Sequence, residues 1–334
     1  MDISYDAVLV VSFGGPERAE DVLPFLGNVL QGANIPEERL REVASHYDHF
    51  GGVSPLNQQV RALLVALISE LNGYGLKLPV YWGNRNWHPL LSDTLSQMAG
   101  DGVKRALAFV TSAFGSYSGC RRYLEDIDRA RQEVGGAAPQ VEKLRLFYNH
   151  PGFVEPMSEQ VAAALADVPE DRRDSAHVLY AAHSIPLAMA RRCEYQLQLE
   201  ETCRLVSERA GLSDWQLVFQ SRSGPPSQPW LEPDIDDHLR QLAARKIRDV
   251  VVVPVGFLLE NMEVVFDLDV EVAALCEELG LDMVRAAVVG SHPRFVRMIR
   301  ELIVERMDKS TDRPALGSDG PSHDVCPPDC CLPA

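Results

Sequence analysis

Nowhere in this chain of 334 residues do about eighteen apolar residues follow one another, the length a spanning helix needs, so no membrane-spanning segment is expected. The first residues, Met1-Asp2-Ile3-Ser4, lack the basic start of a signal peptide, and a cytoplasmic place is expected. Neither a P-loop nor a GxGxxG occurs, which leaves nucleotide binding without a motif. Basic residues are few, 32 against 48 acidic ones. The resulting net charge of −16 disfavours a nucleic-acid backbone or an anionic membrane as the main partner and suits cations better. Seven cysteines, an odd number, point to a reducing compartment rather than a secreted disulfide scaffold.

What is present is an apolar content of 46%, enough for a core in each of two domains. Apolar runs of strand length alternate with helix-period segments, the pattern of an α/β protein with parallel sheets. Strands are expected near Ala7–Ser12, Pro79–Gly83, Arg105–Thr111 and Lys143–Phe147, then His177–Ala182, Trp215–Gln220, Asp249–Val255 and Met283–Val289. The second four reprise the first, AVLVVSFGGP beside HVLYAAHSIP and RALAFVTSAFGSYSG beside RDVVVVPVGFLLENM, as an internal duplication would leave them. Asn149-His150-Pro151-Gly152 breaks the periodicity, which divides the chain into 1–150 and 151–309. The remainder, 310–334, is rich in Pro, Gly, Ser and Asp and reads as an extension.

The segment Val251–Glu271 is the most telling. An apolar run ends at Pro254 and Gly256, and acids recur at Glu260, Glu263, Asp267 and Glu271, spaced three, four and four apart, one face of a helix. From Phe257 to Met283 there are eight Asp or Glu and no Lys or Arg, so like charges oppose one another unless a cation intervenes. Acidic stripes are commonly solvated surface. This one begins where a buried parallel strand ends, the place where open α/β sheets bind ligands. His183 likewise follows the strand HVLYAA, and imidazole both accepts a proton near neutral pH and ligates first-row metals. His183 with Glu263 makes a mixed nitrogen and oxygen set suited to ferrous iron, with Asp267 and Glu271 behind to pass on a cation or a proton. Three loops after strands, GNRNW (Gly83–Trp87), SYSGCRRY (Ser116–Tyr123) and QSRSGPPSQPW (Gln220–Trp230), mix aromatic, amide and hydroxyl groups, as a large flat ligand with polar substituents requires.

The motifs SFGGPE, FGGVSPLNQQ, YWGNRNWHP, YSGCRRY, AHSIP, QSRSGPPSQPWLEPD and PVGFLLENMEVVFDLD, in this order and spacing, resemble those of the ferrochelatases, which insert iron into porphyrin in haem synthesis. The likeness runs from about Ala7 to Leu302 and is strongest to bacterial members. It implies two Rossmann-like halves, each a four-stranded parallel sheet flanked by helices, closing on a porphyrin cleft, with porphyrin and Fe(II) as substrates. His183 and Glu263 stand at the family's invariant histidine and glutamate, as catalytic and metal-binding residues, and their roles as base and metal ligand are interchangeable at this stage. Asp267, Glu271 and Glu260 match the acidic row, Ser54 and Tyr123 match porphyrin-contacting residues, and Phe13 would face the macrocycle.

Three departures stand out. Glu260-Asn261 replaces an Asp-His pair, LQGA at Leu30–Ala33 lacks the arginines that some relatives carry at the mouth, and Phe13 replaces a tyrosine. Some members also hold a [2Fe–2S] cluster through a terminal extension, which here would use Cys326, Cys330 and Cys331 with a fourth ligand from Cys120, Cys193, Cys203 or Cys276. The substrate stays open between protoporphyrin IX and coproporphyrin III. Two rival readings are a cobalt or nickel chelatase acting on another tetrapyrrole and a non-catalytic haem or iron carrier. VLPFLGNVL at the mouth is the segment suited to weak peripheral membrane contact.

Overall fold

The computed structural model describes residues 4–31, 37–225, 227–308 and 312–333. Eight strands form two parallel sheets of four. The first holds β1 (Ala7–Ser12), β2 (Val80–Asn84), β3 (Arg105–Val110) and β4 (Gln140–Lys143), in the order β2-β1-β3-β4. The second holds β5 (His177–His183), β6 (Trp215–Gln220), β7 (Asp249–Val253) and β8 (Asp282–Arg285), in the matching order β6-β5-β7-β8. The central strands β1, β5 and β7 are buried along their length except at His183, the last residue of β5, as strands covered by helices on both faces must be. Among the described residues no helix is long and apolar enough to cross a membrane.

Several strands end earlier than their apolar runs suggest, β4 and β8 most of all, and β4 overlaps its expected span only at Lys143. Of the expected Lys143–Phe147, Leu144 still donates its N–H to Ala108, but the ladder stops there. Leu146 and Phe147 are buried by ring packing instead, with Phe147 stacked on Phe109 at 5.4 Å and edge-on to Phe153 and Phe295. β8 similarly ends at Arg285, before the apolar Ala286–Val289. Burial selects apolar residues whether or not a neighbouring strand pairs with them, so composition alone cannot distinguish the two cases.

One apolar cluster joins the inner faces of both halves, including Val10 and Phe109 from the first sheet, Tyr180 and Val253 from the second, and Phe295 from the helix Pro293–Met307. Each sheet has a further cluster on its outer face. The carboxyl ends of β1 and β3 in one half, and of β5 and β7 in the other, border a single cavity. These are the points at which the chain's winding reverses in each sheet, where such folds leave a crevice.

Candidate active site

Two breaks in β7 set the site. Pro254 has no N–H for the ladder, so the strand ends at Val253 rather than at Val255. Gly256 then donates to the Ala181 carbonyl at 3.1 Å, so close that a Cβ there would lie 2.9 Å from the Ala182 Cα. The absent side chain lets the Phe257–Leu259 loop lie against β5 just before His183.

The acidic segment is not one continuous α-helix. A short helix, Met262–Val265, gives way to a π-helical turn, Asp267–Val272, and then to the helix Ala273–Leu279. The wider turn interrupts the three-and-four spacing, yet Asp267 still neighbours both Glu263 and Glu271, and only the first acid of the row departs. Glu260 leaves it: its carboxylate lies 3.2 Å from Arg285, which also pairs with Asp269. That arginine, on β8, supplies the cation missing from the segment itself. Glu271 stands among Asp236, Arg39 and Glu42, and burial together with Asp236 raises its pKa. Asn261, where an imidazole is lost relative to the family pattern, caps the helix, its side-chain oxygen accepting the Val264 N–H at 3.1 Å.

Glu263 and Asp267 remain together and meet His183. The His183 Nε2 lies 3.4 Å from the Glu263 carboxylate, with the two side chains still 33% and 46% exposed and so reachable from the cavity. At 2.5 Å from the Ser184 carbonyl, the His183 Nδ1 must be the protonated nitrogen, because a carbonyl only accepts. Nε2 is thereby committed to the cavity side. Burial disfavours the imidazolium, but the Glu263 carboxylate outweighs it, and the His183 pKa is raised to about 9. Burial would raise Glu263, yet His183 holds it below the ordinary carboxylate range. Asp267 is raised to about 6 by burial and by the neighbouring Glu263 and Glu271, against a hydrogen bond from Ser221.

The supporting residues come from the QSRSG loop. Gln220, buried at the end of β6, donates to the main-chain carbonyl of Glu263 at 2.6 Å. Ser221, with a left-handed φ of 59°, donates its hydroxyl to Asp267. A serine held in that region is an unusual conformation, matched here to a specific contact. Tyr195 donates to the His183 carbonyl at 3.0 Å. The loop was singled out in the sequence as ligand chemistry, but its part in holding the acids was not foreseeable there.

The cavity measures about 490 Å³ and is lined mainly by apolar and aromatic groups. That volume suits a bound organic molecule, for which pockets span about 300–1,000 Å³. Phe13 is 36% exposed and meets Phe25 edge-on at 6.2 Å, so an apolar ring face is presented to the cavity. Ser54 and Tyr123 are buried in its wall. Each of the three loops picked out in the sequence reaches it, through Arg85, Ser118 and Trp230. Of the mouth segment Leu30–Ala33, Gly32 and Ala33 lie outside the described residues.

The cysteines of the extension lie far from His183 in sequence but close to the cavity wall. Ligating atoms of His323, Cys326 and Cys330 lie within 4.8 Å of one another, and the Cys330 and Cys331 sulfurs are 3.6 Å apart. Cys120 donates to Cys326, which lowers the Cys326 pKa, while that bond and burial push Cys120 up. Cys203 and Cys276 are buried in other parts of the core, and the Cys193 thiol faces the Met189 carbonyl at 3.4 Å. Arg121 fastens the extension by donating to the carbonyls of Pro328 and Cys330. Cys120, Cys326, Cys330 and Cys331 therefore converge, with Cys193 near enough to Cys330 and Cys331 for its charge to act on them, and the region holds the four thiols a [2Fe–2S] cluster takes with one more beside them.

The ferrochelatase family model matches residues 5–307 of the chain. A protein named ferrochelatase from Rhodopirellula baltica is 55% identical over 329 residues, 98% of this chain and 93% of that protein. The coproporphyrin III ferrochelatase of Streptomyces griseus is 49% identical over 349 residues, covering 98% and 93%. That of Nocardia farcinica is 47% identical over 343 residues, covering 99% and 97%. Among solved structures, the sirohydrochlorin chelatase SirB from Bacillus subtilis subspecies spizizenii, in complex with cobalt, covers 92% of this chain and 97% of its own with a TM-score of 0.55. At 12% identity it speaks for the fold alone.

Proposed function

The chain belongs to the ferrochelatase family, whose members insert Fe(II) into a porphyrin in haem biosynthesis, and on that premise we propose that its substrate is coproporphyrin III and that His183 and Glu263 carry the reaction. The observation that carries the assignment of residues is the His183–Glu263 contact at 3.4 Å, opening on an apolar cavity of porphyrin scale. The substrate rests on relatives at 47–49% identity that are named coproporphyrin III ferrochelatases. The division into 1–150, 151–309 and an extension is part of the same reading, supported by the matching strand orders.

Metallation removes two protons from the pyrrole nitrogens and places a divalent cation among them. His183 accepts protons at Nε2, since Nδ1 is held by the Ser184 carbonyl. Glu263 is the carboxylate that receives the incoming Fe(II). A cation there opposes the imidazolium that the carboxylate otherwise stabilises, so His183 gives up its resting proton as iron arrives and becomes a base when one is needed. Asp267, whose pKa of about 6 lets it exchange a proton near neutral pH, takes that proton outward. Glu260 has no part in this path, being paired with Arg285. The test is steady-state Fe(II) insertion into coproporphyrin III and protoporphyrin IX under anaerobic conditions. The tetracarboxylate is expected to give the higher kcat/KM, and a preference for protoporphyrin IX would exclude this substrate.

For the extension, the reading is that Cys120, Cys326, Cys330 and Cys331 hold a [2Fe–2S] cluster. Bound there, it would supply one-electron chemistry and a clip between the extension and the loop that forms the cavity wall. Protein purified anaerobically is expected to absorb visible light and contain acid-labile sulfide, and Cys120→Ser to lose both. A colourless protein binding one zinc through His323, Cys326 and Cys330 would show a different site, because zinc accepts mixed sulfur and nitrogen ligands.

A further inference from the structure

A second cavity, about 520 Å³, opens beside the first and shares Phe13, Arg85 and Ser118 with it. Its wall includes the helix Arg122–Val134, on which Arg122, Asp126 and Arg129 stand on one face, four and three residues apart. The Asp126 carboxylate, only 3% exposed, receives Arg85 at 2.5 Å, Arg129 at 2.7 Å and Arg122 at 3.6 Å. Three guanidiniums thus share one carboxylate, and Glu133 is the other acid among the described residues of this wall. The excess is positive, in a chain whose net charge is −16.

The three arginines are not equivalent. Arg85 is 10% exposed and lies between the rings of Phe13 and Tyr123, at 5.6 and 4.5 Å from their centroids, so its fork is already committed. Arg122 and Arg129 are 42% and 54% exposed; Arg122 also donates to the Tyr117 hydroxyl at 3.2 Å, and each of the two has more N–H donors than these contacts use. In the main cavity, by contrast, Arg85 is the one arginine or lysine among the described lining residues, the His183 imidazolium is already paired with Glu263, and Leu30–Ala33 carries no cation by sequence. A tetrapyrrole seated there with ionised carboxylates on its rim meets aromatic and hydroxyl groups but no uncommitted cation.

We propose that the side cavity receives carboxylate arms of the tetrapyrrole, with Arg122 and Arg129 as their receptors. Guanidinium forks bind carboxylates by paired N–H donors, and Asp126 holds both arginines at the cavity edge. This inference rests on the reading that the substrate carries four carboxylates, and it assigns the recognition of some of them to a cavity distinct from the one containing His183.

The experiment titrates the quenching of porphyrin fluorescence without metal, comparing coproporphyrin III with its tetramethyl ester in the same detergent. The double variant Arg122→Gln/Arg129→Gln leaves Asp126 paired with Arg85 and is expected to keep its thermal transition. Its Kd for the free acid should rise about tenfold while that for the ester stays within about twofold of wild type. Arg122→Lys/Arg129→Lys, which keeps both charges, should retain most of the binding. Equal losses for acid and ester, or no loss for the acid, would overturn the proposal. Whether wild type prefers coproporphyrin III or protoporphyrin IX is read separately, so the substrate assignment can fail while the acid–ester comparison still decides the role of the arginines.

Discussion

Replacing His183 with alanine is expected to lower kcat for Fe(II) insertion by about 10²–10⁴-fold, the range over which loss of a positioned general base is felt. The fold should survive, because the ring lies at a strand end, is partly open to the cavity and contributes no apolar packing that the sheet depends on. Porphyrin binding should also persist, since the aromatic lining is untouched. The informative measurement is therefore single-turnover insertion at saturating porphyrin and iron, with fluorescence titration as the control for binding. Added imidazole should restore part of the lost rate, because the deleted side chain leaves room for it and the reaction needs only a proton acceptor there. Turnover within a few-fold of wild type would remove His183 from the reaction, and lost binding with intact single-turnover chemistry would make it a positioning residue.

Changing Glu263 to glutamine should cause a comparable fall in rate for a different reason, and its signature is a shift in pH dependence. Gln220 holds the main-chain carbonyl of residue 263, not its side chain, so the helix start keeps its place. What disappears is the negative charge beside the imidazole. With it, His183 has a pKa raised to about 9 and stays protonated through neutral pH until a cation arrives. Without it, burial is opposed only by the Ser184 carbonyl and the Asp267 charge, and the titration falls towards the ordinary imidazole value of about 6.5. The sign follows. In wild type without metal, the neutral base appears only as pH rises towards 9, whereas in Glu263→Gln it is already present at pH 7. The His183 ring resonances followed by NMR across pH 5–10, together with the residual rate, test both statements. An unchanged histidine titration would mean that the carboxylate does not control it.

How much of this was legible beforehand depends on whether a feature follows from local chain chemistry. The strand ends carrying His183 and the acids were readable, because an apolar run that stops at Pro254 and Gly256, or at His183-Ser184, fits a buried strand meeting a turn. The pairing of His183 with Glu263 was read from their places after neighbouring strand ends, and the family likeness singled out Glu263 among the acids. The acidic row was read as one helical face and is not one. A π-helical turn leaves no clear mark in composition, and Glu260 goes to Arg285 because β8 lies beside β7, a fact of sheet order. Cys120 and Cys193 were two of four candidates, and only the path of the extension brings its cysteines to them and away from Cys203 and Cys276. Asp126 and Arg129 were not singled out in the sequence, because the meaning of their helical face with Arg122 required Arg85 from another strand end to occupy the same carboxylate.

The sequence by itself determined the α/β class, the repeated four-strand halves, the family and the residues that could serve as base and metal ligand. Each depends on side-chain type at fixed separations along one chain, which the sequence states outright. The tertiary structure decided which acids stay with the histidine, which nitrogen of that histidine faces the cavity, which cysteines of the body the extension comes to lie beside, and where positive charge gathers in an acidic protein. Those outcomes depend on groups far apart in the chain being brought within a few ångströms, where burial and neighbouring charge, rather than residue type, set what a side chain can do.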